Sequence, residues 1–193
     1  MTTKTTAKKK TTTTKIVELP PHPFAFEVFD LVSKQRSAAK KAEVLQKYNH
    51  PSLRALLIWN FDESVKSMLP EGEVPYGGFD EQTVYKGGTL SDKITSEVRD
   101  MYEKGSNSVR DQQQGRTTIE REYKNFYHFI KGGNDGLKSL RRETMFINML
   151  TGLHPLEAEI LILVKDKKLS DKYKITQAVV AKAFPQIKWG NRS

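Results

Sequence analysis

The hydrophobic positions of this chain fall in clusters at helical spacing, with no sustained alternation of the kind a half-buried strand shows. From Phe24 onward, Ala25, Val28, Phe29 and Val32 recur at i, i+3, i+4 and i+7, one face of a helix. A second helix is predicted from Ala38 to Tyr48. NHPSLRALLIWNF supplies a third, with Asn49 or His50 at its mouth and Pro51 in the first turn, where a missing N–H costs little. That segment is apolar on nearly every side, so it is expected at the centre of the fold. TTIEREYKNFYHFIK places Ile119, Tyr123, Phe126, Tyr127 and Ile130 on one face, and KGGNDG breaks it. In the last third, LKSLRRETMFINML, PLEAEILILVKDK and ITQAVVAKAF read as three consecutive helices separated by TGLH and KLSDKYK.

Between these elements the pattern lapses. Residues 69–91 hold two prolines and five glycines without a helical period and read as a long loop, with a short strand pair at most. TLSDKITSEVRDMYEK is expected to be another helix, and residues 105–116 a polar linker. IVELPPHPF is an extended entry, because each proline removes a donor and pushes the residue before it out of the helical region. Residues 1–15 are nearly all Thr, Lys and Ala and cannot bury enough apolar surface to offset their ordering entropy. The expectation is all-α: one compact domain of six to eight helices over residues 16–188, a disordered basic tail at 1–15 and a short tail at 189–193. A length of 193 residues suits a single domain with flexible ends.

Charge changes the picture more than composition does. The net charge is +9, but it divides into +5 over residues 1–15, −2 over 16–160 (19 basic, 21 acidic) and +6 over 161–193 (eight basic, two acidic). A basic protein invites a nucleic-acid reading, and this split directs it to the ends of the chain. The residues expected to contact phosphate are Lys4, Lys8, Lys9, Lys10 and Lys15 in the tail and Lys172, Lys174, Lys182 and Lys188 near the C-terminus. Such lysines neutralise charge without reading sequence. A groove-reading helix is the weaker form of the idea, since KKLSDKYK is longer than the turn of a helix-turn-helix and Val179, Val180 and Phe184 can dock on the core instead.

The absence of cysteine excludes disulfides, thiolate nucleophiles and thiolate-ligated metals. No apolar run approaches the roughly 20 residues of a membrane span, and the N-terminus lacks the apolar stretch of a secretory signal, so a soluble intracellular protein is expected.

The stretch LHPLEAEILILVKDKK gathers His154, Glu157 and Glu159 ahead of Lys165, Lys167 and Lys168. Acids in a first turn and bases in a last turn are what the helix dipole favours, and Glu157 and Glu159, two apart, point to different faces. Helix-end chemistry is therefore preferred over an acid/base pair. His22, His50 and His154 each precede proline, His128 reads as a partly buried or surface side chain, and no HExxH spacing occurs, so no metal is expected. The glycine pairs read as flexible loops; GxxxxGK[ST], GxSxG and a serine with a histidine and acid near it are not evident. NHPSLRALLIWNFD and LHPLEAEILILVKD echo each other, each setting His-Pro at a helix mouth, which shared helix-start chemistry explains without a duplication.

Two blocks, AAKKAEVLQKYNHPSLRALLIWNFDESVKSMLPEGEVPY and RRETMFINMLTGLHPLEAEILILVKDKKL, the latter followed by ITQAVVAKAFPQI, resemble a family of small uncharacterised proteins of T4-like tailed bacteriophages. The resemblance covers residues 24–187 and implies a phage origin and action in the cytoplasm of an infected bacterial host. It carries no activity and no functional residues. The expected function is a non-catalytic accessory protein that binds nucleic acid or a nucleoprotein machine through its basic ends. The alternatives are a protein-binding module with an exposed apolar helix face, directed at a host or phage protein, and a minor virion component. No cofactor, membrane contact or small-molecule substrate is expected.

Overall fold

The computed structural model describes residues 18–72 and 117–191. The tail, most of the predicted 69–91 loop, the TLSDKITSEVRDMYEK helix and the 105–116 linker lie outside the described residues.

Eight α-helices are present among the described residues: α1 Ala25–Ser33, α2 Ala38–Lys47, α3 Pro51–Phe61, α4 Ile119–Glu122, α5 Ser139–Gly152, α6 Pro155–Lys165, α7 Leu169–Tyr173 and α8 Gln177–Ala183. A single antiparallel bridge, Ser67 to Ile130, is the extent of β pairing in that region. The all-α expectation holds. Helix starts follow local chemistry. Glu27 accepts the Phe24 N–H at 2.8 Å ahead of α1, and Ser37 Oγ accepts the Lys40 N–H at 3.2 Å at the mouth of α2.

Helix α6 is the hub, packing against α1, α3, α5 and α7, while α8 lies along α2 and α2 packs on α1. Phe29, Leu45, Leu56, Leu57, Ile160, Leu161, Leu169, Ile175 and Phe184 are fully buried between them. The predicted central position of LRALLIWNF is therefore met. KLSDKYK, expected as a connection, contains α7; Leu169 and Tyr173, one turn apart, pack inward, and Tyr173 meets Phe29 at 5.6 Å between ring centroids.

One expected face is met at Ile119, Tyr123, Phe126 and Ile130 but departs at Tyr127, whose place Phe129 takes. After α4 the chain tightens into a 3-10 helix over Tyr123–Phe129, where residues three apart eclipse. Phe126 and Phe129 accordingly turn inward against Trp59, with centroids 5.4 and 6.3 Å away, and Tyr127 turns out at 46% exposure. The cause lies in the following turn. A Cβ on Gly133 would sit 2.0 Å from Tyr127 O, so only glycine allows this approach. Buried Arg142 then ties the turn down, donating to the carbonyls of His128 (2.8 Å), Asn134 (3.0 Å) and Leu137 (2.9 Å). The KGG pair here is thus a close backbone approach, where a flexible loop was expected.

The C-terminus returns to the body: Gly190 N–H donates to both carboxylate oxygens of buried Asp62, at 3.1 and 3.2 Å, and Trp189 packs against the core.

Candidate functional site

The four C-terminal lysines singled out from the sequence are all exposed. Lys172, on α7, pairs with Glu159 and lies 5.6 Å from the Tyr173 ring centroid. Lys174 follows in a left-handed conformation, φ 51°, and its carbonyl accepts from Lys41 Nζ at 2.6 Å. Lys182 stands on the outer side of α8, whose Val179 and Val180 are buried, as is Phe184 just beyond it. The helix is docked by its apolar side, the arrangement that weighs against a groove-reading helix. Lys188 is exposed beyond α8, and Lys4, Lys8, Lys9, Lys10 and Lys15 lie outside the described residues.

What the sequence did not reveal is that α2 adjoins these lysines. Besides the Lys41 bond, Gln46 Nε2 donates to Ala183 O at 3.0 Å, so α2 runs beside α7 and α8. Residues 34–47 carry five bases, Lys34, Arg36, Lys40, Lys41 and Lys47, against Glu43, and residues 172–188 carry four lysines and no acid. Among them Lys34 pairs with Asp30, Lys47 with Glu18 and Lys172 with Glu159.

A cleft of about 280 Å³ opens next to the C-terminal end of α2. It is bounded by the entry segment Pro21–Pro23, by Lys47 to His50, by Ser52 and Leu53 at the start of α3, and by Ile119, Glu120 and Glu157. The entry segment crosses it as a strap: Leu19 N–H donates to the Tyr48 hydroxyl at 2.9 Å, Lys47 pairs with Glu18 at 3.1 Å, and His22 Nδ1 lies 3.3 Å from Glu120 Oε1. The same carboxylate oxygen stands 3.4 Å from His50 Nε2. His50 Nδ1 in turn accepts the Ser52 N–H at 3.2 Å and contacts Ser52 Oγ at 2.7 Å. A serine, a histidine and an acid are therefore brought together, which the sequence did not suggest. No group of three or more metal-ligating side chains converges on a cation position among the described residues.

Glu157 closes the inner end of the cleft. It occupies the first turn of α6, as expected, yet it is 1% exposed and no ordinary surface helix-end acid. One oxygen accepts the Ile119 N–H at 3.0 Å and the other the Ala25 N–H at 3.3 Å, the first residues of α4 and α1. Three helix starts thus share one carboxylate, which satisfies donors that no intrahelical carbonyl can reach. Burial pushes its pKa up to about 7, against the pull of those two N–H donors. Glu159 points the other way, as the two-residue spacing implied.

The bases expected at the far end of α6 do different work. Lys165 is buried and donates to Pro70 O at 2.7 Å, to Gly72 O at 3.0 Å and to Asp166, and Lys167 donates to Asp62 O at 2.8 Å. His128 is partly buried and meets Asn134 Nδ2 at 2.9 Å.

A family model described as a family of unknown function, DUF6433, matches residues 28–113 and 106–171. The chain belongs to DUF6433. The DUF6433 match takes in α2, His50, Ser52, Glu120 and Glu157, and stops before Lys172, Lys174, Lys182 and Lys188. No curated protein and no solved structure matches the chain. No helix among the described residues is long and apolar enough to cross a membrane.

Proposed function

We propose that this protein binds nucleic acid without sequence preference, through a basic face formed by α2, α7 and α8 and supplemented by the lysines of the N-terminal tail. The observation that carries the reading is the bond from Lys41 to the Lys174 carbonyl, which brings the lysines of two sequence-distant segments onto adjoining surface. Clustered exposed lysines release counterions from a phosphate backbone, so such binding is steep in salt and shallow in sequence. Phage origin, and action in the cytoplasm of an infected bacterium, are part of the same proposal and rest on the resemblance of the two quoted sequence blocks. The alternative, a protein-binding module with an exposed apolar helix face, finds less support: Tyr127 and Leu140 are the large apolar side chains left exposed among the described residues, on different elements.

The test is a titration against duplex and single-stranded DNA and RNA at several salt concentrations. Lys40, Lys174 and Lys182 changed together to Gln should reduce the slope of log affinity against log salt by up to about 3 on duplex, roughly 0.9 for each phosphate no longer neutralised. Deleting residues 1–15, with their five lysines, should reduce it by at most about 4 to 5. No binding at low salt would remove the proposal and leave a protein partner in front. Binding unaltered by both changes would move the site off the basic face.

A further inference from the structure

We propose that Ser52 is a nucleophile, with His50 as its base and Glu120 as the carboxylate that orients the base, and that the cleft accepts a small uncharged ester whose acyl group is transferred to Ser52. The case begins with the tautomer. A backbone N–H cannot become an acceptor, so the Ser52 N–H at 3.2 Å fixes Nδ1 of His50 as the lone-pair nitrogen and puts the ring proton on Nε2, facing Glu120 at 3.4 Å. The Ser52 hydroxyl, 2.7 Å from that same Nδ1, must then be the donor. The hydroxyl-to-imidazole contact is the one that activates an alcohol, and Glu120 stands at ion-pair distance from Nε2, where its charge favours the imidazolium.

The other His-Pro mouth shows that the helix start alone does not require it. There His154 caps α6 equally well, Nδ1 accepting the Leu156 N–H at 3.1 Å, with leucine in the place of the serine. There His154 is 0% exposed, whereas His50 is partly exposed on the cleft and Ser52, though only 6% exposed, lines its wall.

In the first step Ser52 Oγ attacks the ester carbonyl carbon as its proton passes to His50 Nδ1. The tetrahedral adduct collapses, the C–O bond to the alcohol breaks, and the alcohol leaves with the proton from Nδ1. Water repeats the sequence on the acyl-serine, releasing the acid and restoring the hydroxyl; no oxidant or further reactant is needed. Glu120 in the wall, with Lys47 already paired to Glu18, opposes a phosphodiester or a carboxylate-bearing ester, which favours an uncharged substrate. Moving the proton to Nδ1 disrupts the Ser52 N–H bond, and because each transfer carries that cost turnover should be slow. The inference is separate from the basic face, and it departs from the expectation of a non-catalytic chain.

The full-length protein is incubated with an ethoxy fluorophosphonate probe, which a serine alkoxide displaces with loss of fluoride, and the adduct is located by peptide mass spectrometry; p-nitrophenyl acetate hydrolysis is followed in parallel. Folded wild type should gain one adduct, on Ser52, and Ser52→Ala, which keeps the His50 cap, should lose the adduct and at least nine-tenths of the hydrolysis at an unchanged Tm. Glu120→Gln should label at least tenfold more slowly with a similar Tm, and Glu120→Asp should recover part of the rate. No adduct on folded wild type, an adduct on another residue, or equal hydrolysis by Ser52→Ala would overturn the proposal. Labelling of Glu120→Gln at the wild-type rate would overturn the role of the carboxylate.

Discussion

The two His-Pro helix mouths of this molecule use the same three-residue device and put it to different ends. At both, the histidine precedes a proline in the first turn and accepts the next N–H through Nδ1, at 3.2 Å for His50 and 3.1 Å for His154. The mouth of α6 is buried. His154 is 0% exposed, stacks on Phe26 with centroids 4.9 Å apart, and leads into Glu157, which gathers the starts of α1 and α4. The mouth of α3 opens on a cleft, with Tyr123 edge-on to the His50 ring at 6.0 Å and Glu120 beside it. A motif read from sequence therefore fixes the local backbone and leaves the burial of its side chain to distant parts of the chain.

That contrast can be broken at either mouth. His154→Ala removes a buried ring as well as a cap and should cost about 3 to 5 kcal/mol, read as a lower denaturant midpoint. Leu56→Ala, at a 0% exposed position inside α3, should cost about 2 to 5 kcal/mol by leaving a cavity. His50→Ala loses chiefly the cap and should cost about 1 kcal/mol. Equal losses at His50 and His154 would erase the distinction between the mouths. His22→Ala, which removes one exposed partner of Glu120, should leave Tm unchanged within error.

The helices were legible because apolar side chains at one-turn spacing bury one face whatever their partners, as in Ala25, Val28, Phe29 and Val32. The His-Pro starts were legible for a similar reason, since capping is local. The 3-10 turn at Tyr123 was not, because its cause is Gly133 and Arg142 acting across the following turn. Leu169 and Tyr173 offered a one-turn signal for α7 that the polar residues around them concealed. Glu157 read as an ordinary helix-end acid because its partners, Ala25 and Ile119, are 132 and 38 positions away. Counting charge over residues 16–160 as one block cancelled the lysines of α2 against acids on unrelated elements, and so hid half of the basic face.

A single buried carboxyl group, that of Glu157, joins three helix starts, and its ionisation reports on that burial. Because the folded-state pKa of Glu157 is raised to about 7, the folded protein prefers the protonated form. The associated stability is fully present below the unfolded value near 4.5 and is lost as pH rises through about 7. Denaturant unfolding of wild type and Glu157→Gln, from pH 4.5 to 8, measures this directly. Wild type should lose about 3 kcal/mol relative to the variant across that range, on 1.36 kcal/mol per pKa unit. Parallel pH profiles for the two proteins would mean that burial does not raise the Glu157 pKa.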